Sequence, residues 1–346
     1  MIRILFAFVI AALAALPARA EDAQTKIALR VIDDYLMPRY QAFETATFNE
    51  QAAWVKFCKS PAGGGKGPLL DAFNKTSDAW QAVDHIRTGP VSLFLRAERI
   101  NYWPEMRNAT AKGLAALLTS DDPKALEMET FSQGSVAVQG LPALERLLYT
   151  DVDLTSPRAC AIGEAITENL ANVAHEIVAS WSAPNGPRNA LAEGKTVTGG
   201  FADGAEASRL LLTDLMTSFQ RMLDMKLLAV LGTDADGAKP KAVENWRSGR
   251  AKRNLVIDLQ STDAMIAVFA KDLDSQSLVP LQKAMDEAKA DFAALPDDLG
   301  NAAADAGQRP LLEKAANAVK TARDLSRAIL PPKLNIVLGF NALDGD

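Results

Sequence analysis

Histidine and cysteine are scarce in this chain of 346 residues, with two of each. Hydrolysis by Ser/His/Asp or Cys/His needs a histidine in a recognisable setting, and neither His85 nor His175 has one. His175-Glu176 begins like the zinc motif His-Glu-x-x-His, but Ala179 stands where the second histidine belongs. His85 falls about 140° around a helix from Trp80, and His175 lies off the stripe of Val173 and Ile177, so both read as solvated surface residues. Basic clusters are missing too. The formal charge of −6 becomes −8 once Arg3 and Arg19 are removed with the leader described below. Such an acidic chain is a poor partner for nucleic acid. Past the first 20 residues no apolar run approaches membrane-spanning length. Alternating strand patterns are nearly absent, the exception being Asn335-Ile336-Val337-Leu338.

The N-terminus has the pattern of a secretory signal. Arg3 supplies the positive charge, Ile4 to Leu16 is apolar without interruption, and Ala18-Arg19-Ala20 is a small-x-small cleavage site. We expect cleavage after Ala20 and export to the periplasm. No cysteine lies near position 21 to carry a lipid. Cys58 and Cys160 then allow one intramolecular pairing. An oxidising compartment favours a disulfide, the alternative being two buried thiols.

Almost every long segment repeats at the helical period. Residues 26–47 carry Ile27, Val31, Tyr35 and Phe43, with a kink expected at Pro38. Residues 69–88 carry Leu69, Phe73, Trp80 and Val83, and residues 164–181 carry Ile166, Leu170, Val173, Ile177 and Trp181. Residues 208–231 carry Leu211, Leu215, Phe219 and Leu223, with Gly232 as C-cap. Further helices are expected near 275–294 and 309–329, Pro331-Pro332 ending the last. The chain is therefore all-α with bundle packing. Residues 60–68 form a connection inside the first half. Residues 183–205, rich in Pro, Gly, Asn and Ala, lack periodicity and mark the boundary between two domains, residues 21–185 and 200–346, with about four helices each. Trp80, Asp84 and Arg87 share their spacing with Trp246, Arg250 and Arg253. Each triple falls on one helical face, by duplication or by coincidence.

Residues 139–149 hold the densest pattern. Leu141, Leu144 and Leu148 form one helical face, and Pro142 suits a first turn. Glu145 borders that face and needs a partner if buried. It is either a carboxylate in a cleft, binding a metal or a cationic group, or half of an arginine pair that fixes the helix. Asp84 and Arg87 either pair with each other or reach into the same cleft. Arg247, Arg250 and Arg253 offer an anion clamp or a solvated basic face. Asp344 and Asp346 flank Gly345 without the rest of a calcium loop.

Gly140-Leu141-Pro142-Ala143-Leu144-Glu145 resembles the Gly-x-His-x-x-Glu motif of the imelysin family, with Gly140 and Glu145 matching and Pro142 in place of the histidine. This form is similar to an iron-regulated branch that lacks the histidine. Residues 79–90, Arg99-Ile100-Asn101-Tyr102-Trp103-Pro104, Glu244-Asn245-Trp246-Arg247-Ser248-Gly249-Arg250 and the ending from Leu338 to Asp346 extend the resemblance. The resemblance implies two packed four-helix bundles with a functional cleft between them, to which we assign Gly140, Glu145, Trp80, Asp84, Arg87 and Arg250. It implies a periplasmic, iron-uptake-associated binding protein without catalysis. Its partner would be an uptake receptor or another periplasmic protein, and its cofactor iron or another divalent metal with Glu145 as ligand. The alternatives are a metallopeptidase of the imelysin type, which needs a metal, a water and a base together, and a structural or partner-binding periplasmic module.

Overall fold

A computed structural model of the chain describes residues 23–338 except Gly64. The expected signal peptide, Asp344 and Asp346 lie outside the described residues. Within them the chain is all-α, and no strand occurs. Residues 335–338, expected to be extended, are irregular: Asn335 caps the last helix in the left-handed region, at φ 53°.

The first helix of the site's frame is α1 (Met37–Lys59). It buries Tyr40, Phe43, Thr47, Glu50 and Trp54, alternating steps of three and four that keep one stripe inward. Pro38 withholds the N–H that the Asp34 carbonyl would accept, and a π-helical turn over Ile32–Leu36 absorbs the mismatch in place of a sharp kink. Next come α2 (Gly67–Gln81), the short α3 (Arg96–Ile100), α4 (Leu141–Tyr149) and α5 (Pro157–Ser182). Ser156 caps α5, its hydroxyl accepting from the Ala159 N–H at 3.2 Å. α1 packs on α2 and α5, and α4 on both α2 and α5. Gly163 makes the α1–α5 approach possible, since a Cβ there would sit 2.1 Å from the Trp54 ring. Cys58 and Cys160 form a disulfide that ties the end of α1 to the start of α5, with Cα atoms 5.6 Å apart. Closing a loop of this length contributes about 4.7 kcal/mol in the chain-entropy model.

The second set comprises α6 (Gly204–Gln220), α7 (Ala251–Phe269), α8 (Val279–Ala294) and α9 (Arg309–Leu334). α6 runs through a π-helical turn at Arg221–Leu228 to Gly232, which ends it at φ 61°. α6 packs on α7 and α9, and α8 lies between α7 and α9. Pro331 and Pro332 do not end α9, which continues to Leu334. The carbonyls they leave without donors belong to Arg327 and Ala328, both exposed and open to water. The two sets meet where α7 lies against α2 and the π turn at Ile32–Leu36, and their buried apolar side chains join in one core. Residues 183–205 are not wholly without structure. They hold a short helix, Pro187–Ala192, and bury Leu191 and Phe201.

Two expectations fail at helix ends. α2 ends at Gln81, so residues 82–88 leave the helical wheel. His85 is thereby turned inward and is 2% exposed, which corrects its reading as a surface residue. His175 is largely exposed and pairs with Glu44 at 2.8 Å. α7 begins only at Ala251, so Trp246 and Arg250 precede it and share no helical face with Arg253. The repeated triples are not equivalent in structure.

Candidate functional site: a cleft where three motif segments meet

Three segments distant in sequence line one cleft of about 410 Å³, together with Asp224, Met225 and Ala229 on the continuation of α6. Asn101 to Glu105 supply one wall, Pro142, Glu145 and Arg146 of α4 a second, and Lys241 to Arg247 a third. Gly140 sets the position of α4. A Cβ there would lie 2.2 Å from the Ile100 carbonyl oxygen, so only glycine lets the start of α4 press against the end of α3. Pro142, at the position of the motif histidine, faces this cleft.

Glu145 is 3% exposed. Its Oε1 accepts from the Ser248 N–H at 3.0 Å and from the Ser248 hydroxyl at 2.6 Å. Arg247 stands back, its Nη1 3.9 Å from Oε2. Burial raises the Glu145 pKa, while the Ser248 bonds and Arg247 pull it back. The carboxylate is thus neither a bare ligand nor half of an arginine fork. It latches the 245–248 turn of the second half to α4 of the first.

Trp246 is 40% exposed on the rim, with Arg247 Cζ 4.2 Å and Lys241 Nζ 5.6 Å from its ring centre. Each such cation–π contact contributes on the order of 0.5–1 kcal/mol when exposed. Arg146 donates to Glu105 at 2.8 Å and to Asn108 at 2.7 Å. The floor is a charged layer between the halves. Lys226 lies 2.6 Å from Asp258 and 2.9 Å from Glu244, and Glu244 also accepts from Asn101 at 3.1 Å. Burial opposes the Lys226 charge, yet Asp258 and Glu244 outweigh it and keep the ammonium protonated.

The structure separates the six residues assigned from sequence. Glu145 lines the cleft and Gly140 positions it. Trp80 is buried in the core against Phe43, ring centres 5.2 Å apart. Asp84 is buried and pairs with Arg221 of the second half at 2.8 Å. Burial opposes its charge, but Arg221, Lys226 and Arg87 hold its pKa well below the usual carboxylate range. Arg87 does not pair with the Asp84 carboxylate. Its guanidinium donates to the backbone carbonyls of Asp84 and Ile86, and the Arg87 backbone N–H donates to Asp214 at 3.1 Å. Arg250 is buried and donates to Asn74 at 2.6 Å and to Asp78, which Arg253 also binds. Trp80, Asp84, Arg87 and Arg250 therefore lie outside the lining of the cleft. His85 belongs to the same inter-half layer. Its Nε2 is 3.1 Å from the Tyr35 hydroxyl, which lies 2.6 Å from Ser261 of α7. Burial pushes the imidazole down to about 3, with Asp84 opposing and Arg221 and Arg87 reinforcing the shift.

Ser248, Lys241 and Arg146 were missed as site residues. No periodic signal reveals a turn that meets a helix about 100 positions earlier. The motif resemblance of residues 244–250 was the available clue.

The donor set does not fit a divalent metal held by protein ligands alone. Glu145 is held by Ser248, Glu244 by Lys226 and Glu105 by Arg146, which leaves Asp224 as a single unengaged carboxylate in the lining. Among the described residues, no three of His, Cys, Asp or Glu converge.

Known structures share this fold. An imelysin-like protein from Psychrobacter arcticum 273-4 is 21% identical with a TM-score of 0.76, over 92% of this chain and 98% of that one. A protein named as an iron-regulated protein A precursor, from Parabacteroides distasonis ATCC 8503, is 16% identical with a TM-score of 0.67, over 90% and 95%. No curated protein matches the sequence. The family model for imelysin matches residues 36–325, most of the chain, and the chain belongs to the imelysin family.

Proposed function

We propose that the chain is an exported imelysin-like protein that serves iron uptake in the periplasm by binding, without catalysis. Its ligand or protein partner occupies the cleft beside Glu145. One observation carries this reading. Three segments that resemble the family's motifs converge on the cleft, while three of its four carboxylates, Glu145, Glu105 and Glu244, are already engaged by Ser248, Arg146 and Lys226 and only the exposed Asp224 is not. The three engaged charges serve to hold the walls together. The free recognition surface is the aromatic rim of Trp103 and Trp246 with the cations Lys241 and Arg247 and the carboxylate of Asp224. Export is supported by the leader pattern of residues 1–20, and the iron association by the name of the Parabacteroides protein.

The competing reading is a metallopeptidase of the imelysin type. Metal analysis of the purified mature protein, paired with a peptide-hydrolysis assay, separates the two. The binding reading predicts no stoichiometric tightly held zinc and no hydrolysis on adding Zn²⁺. One zinc per chain together with hydrolysis lost in Glu145→Gln would overturn it.

A further inference from the structure

A second pocket, of about 530 Å³, lies beside α3 and shares no lining residue with the Glu145 cleft. Arg99 lines it. Its guanidinium is held by amides instead of a carboxylate: Nε donates to Gln139 Oε1 at 2.9 Å and Nη2 to Asn169 Oδ1 at 2.6 Å. Gln139 and Asn169 are fully buried. Gln139 is fixed in turn, since its Nε2 donates to the Phe131 and Gly134 carbonyls and so directs Oε1 toward Arg99. Two of the five N–H donors of Arg99 are thus used, which leaves three, both on Nη1 among them. Among the described residues Arg99 forms no ion pair. Arg96, one turn earlier, takes the neighbouring carboxylate of Glu176 at 3.2 Å. Burial lowers the Arg99 pKa. Glu176 opposes this and Arg96 adds to it, as expected of a charge short of a counter-ion.

The same pocket has an apolar edge. Phe94 and Leu95 line it and are 74% and 61% exposed. Both lie in the left-handed region, at φ 56° and 55°. Their neighbours are anchored, Leu93 against Gly199 and Arg96 in the interior. Phe94 touches the Arg96 guanidinium, whose Cζ is 5.3 Å from its ring centre, yet both large apolar residues are held in a disfavoured conformation and turned to solvent, and strain of this kind concentrates at ligand sites.

We propose that this pocket binds an organic carboxylate bearing an apolar chain, with the carboxylate on the free edge of Arg99 and the chain against Phe94 and Leu95. A monoanion matches the single unneutralised arginine, whereas a dianion would bring excess negative charge beside Glu176. An arginine edge suits the two oxygens of a carboxylate. The proposal stands apart from the reading of the Glu145 cleft.

Titration calorimetry with octanoate, acetate and octan-1-ol tests it. Octanoate should bind the wild-type protein at one saturable site, with acetate and octan-1-ol each weaker by about tenfold or more. Arg99→Gln should weaken octanoate by about tenfold and leave octan-1-ol unchanged. Phe94→Ala, at an exposed position that does not threaten folding, should weaken octanoate several-fold and leave acetate unchanged. It carries the test if Arg99→Gln fails to fold. Absence of saturable octanoate binding, equal binding of octanol, or wild-type octanoate affinity in the folded Arg99→Gln or in Phe94→Ala would overturn the proposal.

Discussion

Ser248 gives both its backbone N–H and its hydroxyl to one oxygen of Glu145, 103 positions earlier in the chain. The two residues belong to different halves of the chain, and their contact ties the turn after the Lys241–Arg247 wall to α4. A double-mutant cycle tests this latch. Glu145→Ala and Ser248→Ala should each destabilise by roughly 1–3 kcal/mol, the range for stranding a buried hydrogen-bonding partner. The double mutant should fall short of their sum by about 1 kcal/mol. Strict additivity in denaturant unfolding would show that the two residues do not act together. Glu145→Gln keeps an acceptor for Ser248 and should cost less than Glu145→Ala.

Glu50 makes stability depend on pH. Its carboxyl is fully buried in α1 beside the Thr76 hydroxyl, which the carbonyls of Ala46 and Ala72 also contest. Burial pushes its pKa from 4.5 up to about 7. A carboxyl with a raised folded-state pKa contributes its stability below the unfolded pKa and loses it as pH rises through the folded one. Stability should therefore fall between pH 4.5 and 7. Asp214, also raised to about 7 by burial, adds a fall of the same sign. The difference in unfolding free energy between wild type and Glu50→Gln should change by roughly 3 kcal/mol from pH 4 to pH 9, in favour of the mutant at high pH. A difference independent of pH would show that Glu50 titrates normally.

Asp84 and Arg221 supply a buried ion pair between the two helix sets, 2.8 Å apart. Arg221→Met should destabilise by roughly 3–5 kcal/mol, since it leaves a buried carboxylate without its main counter-charge. The exposed pair Arg188–Asp33 is the control. Arg188→Met should cost under about 1 kcal/mol. Equal costs in urea unfolding would remove the inter-half layer from the account of stability.

The domain reading makes its own prediction. Residues 192–196 are exposed between the buried Leu191 and Phe201. Brief trypsin treatment should cut first after Lys195 and leave two helical fragments. First cuts within 164–181 or 208–231 would contradict a boundary in this stretch.

The helices were legible because a buried stripe repeats every three or four residues whatever its neighbours do. Residues 26–47, 164–181 and 208–231 show this directly. The cysteine pair was legible because two cysteines leave one pairing. What stayed hidden was the turn chemistry. Nothing in the apolar pattern says that α2 stops at Gln81, so His85 was placed on a helix surface when it bonds Tyr35 inside the protein. The same blindness put Trp246 and Arg250 on a helix that begins only at Ala251. Charge partners across the halves were equally illegible. Asp84 looked paired with Arg87 three positions away, whereas its partner Arg221 is 137 positions distant and visible only after folding. The motif resemblance reached the cleft because it marked segments 99–104, 140–145 and 244–250 without needing to know their partners.

Growth under iron limitation tests the proposed function most directly. A deletion strain should grow poorly and recover with the wild-type gene. Trp246→Ala removes an exposed rim residue of the cleft. The variant should accumulate and melt like the wild type yet fail to restore growth. A deletion without an iron-dependent defect, or full rescue by Trp246→Ala, would contradict the account.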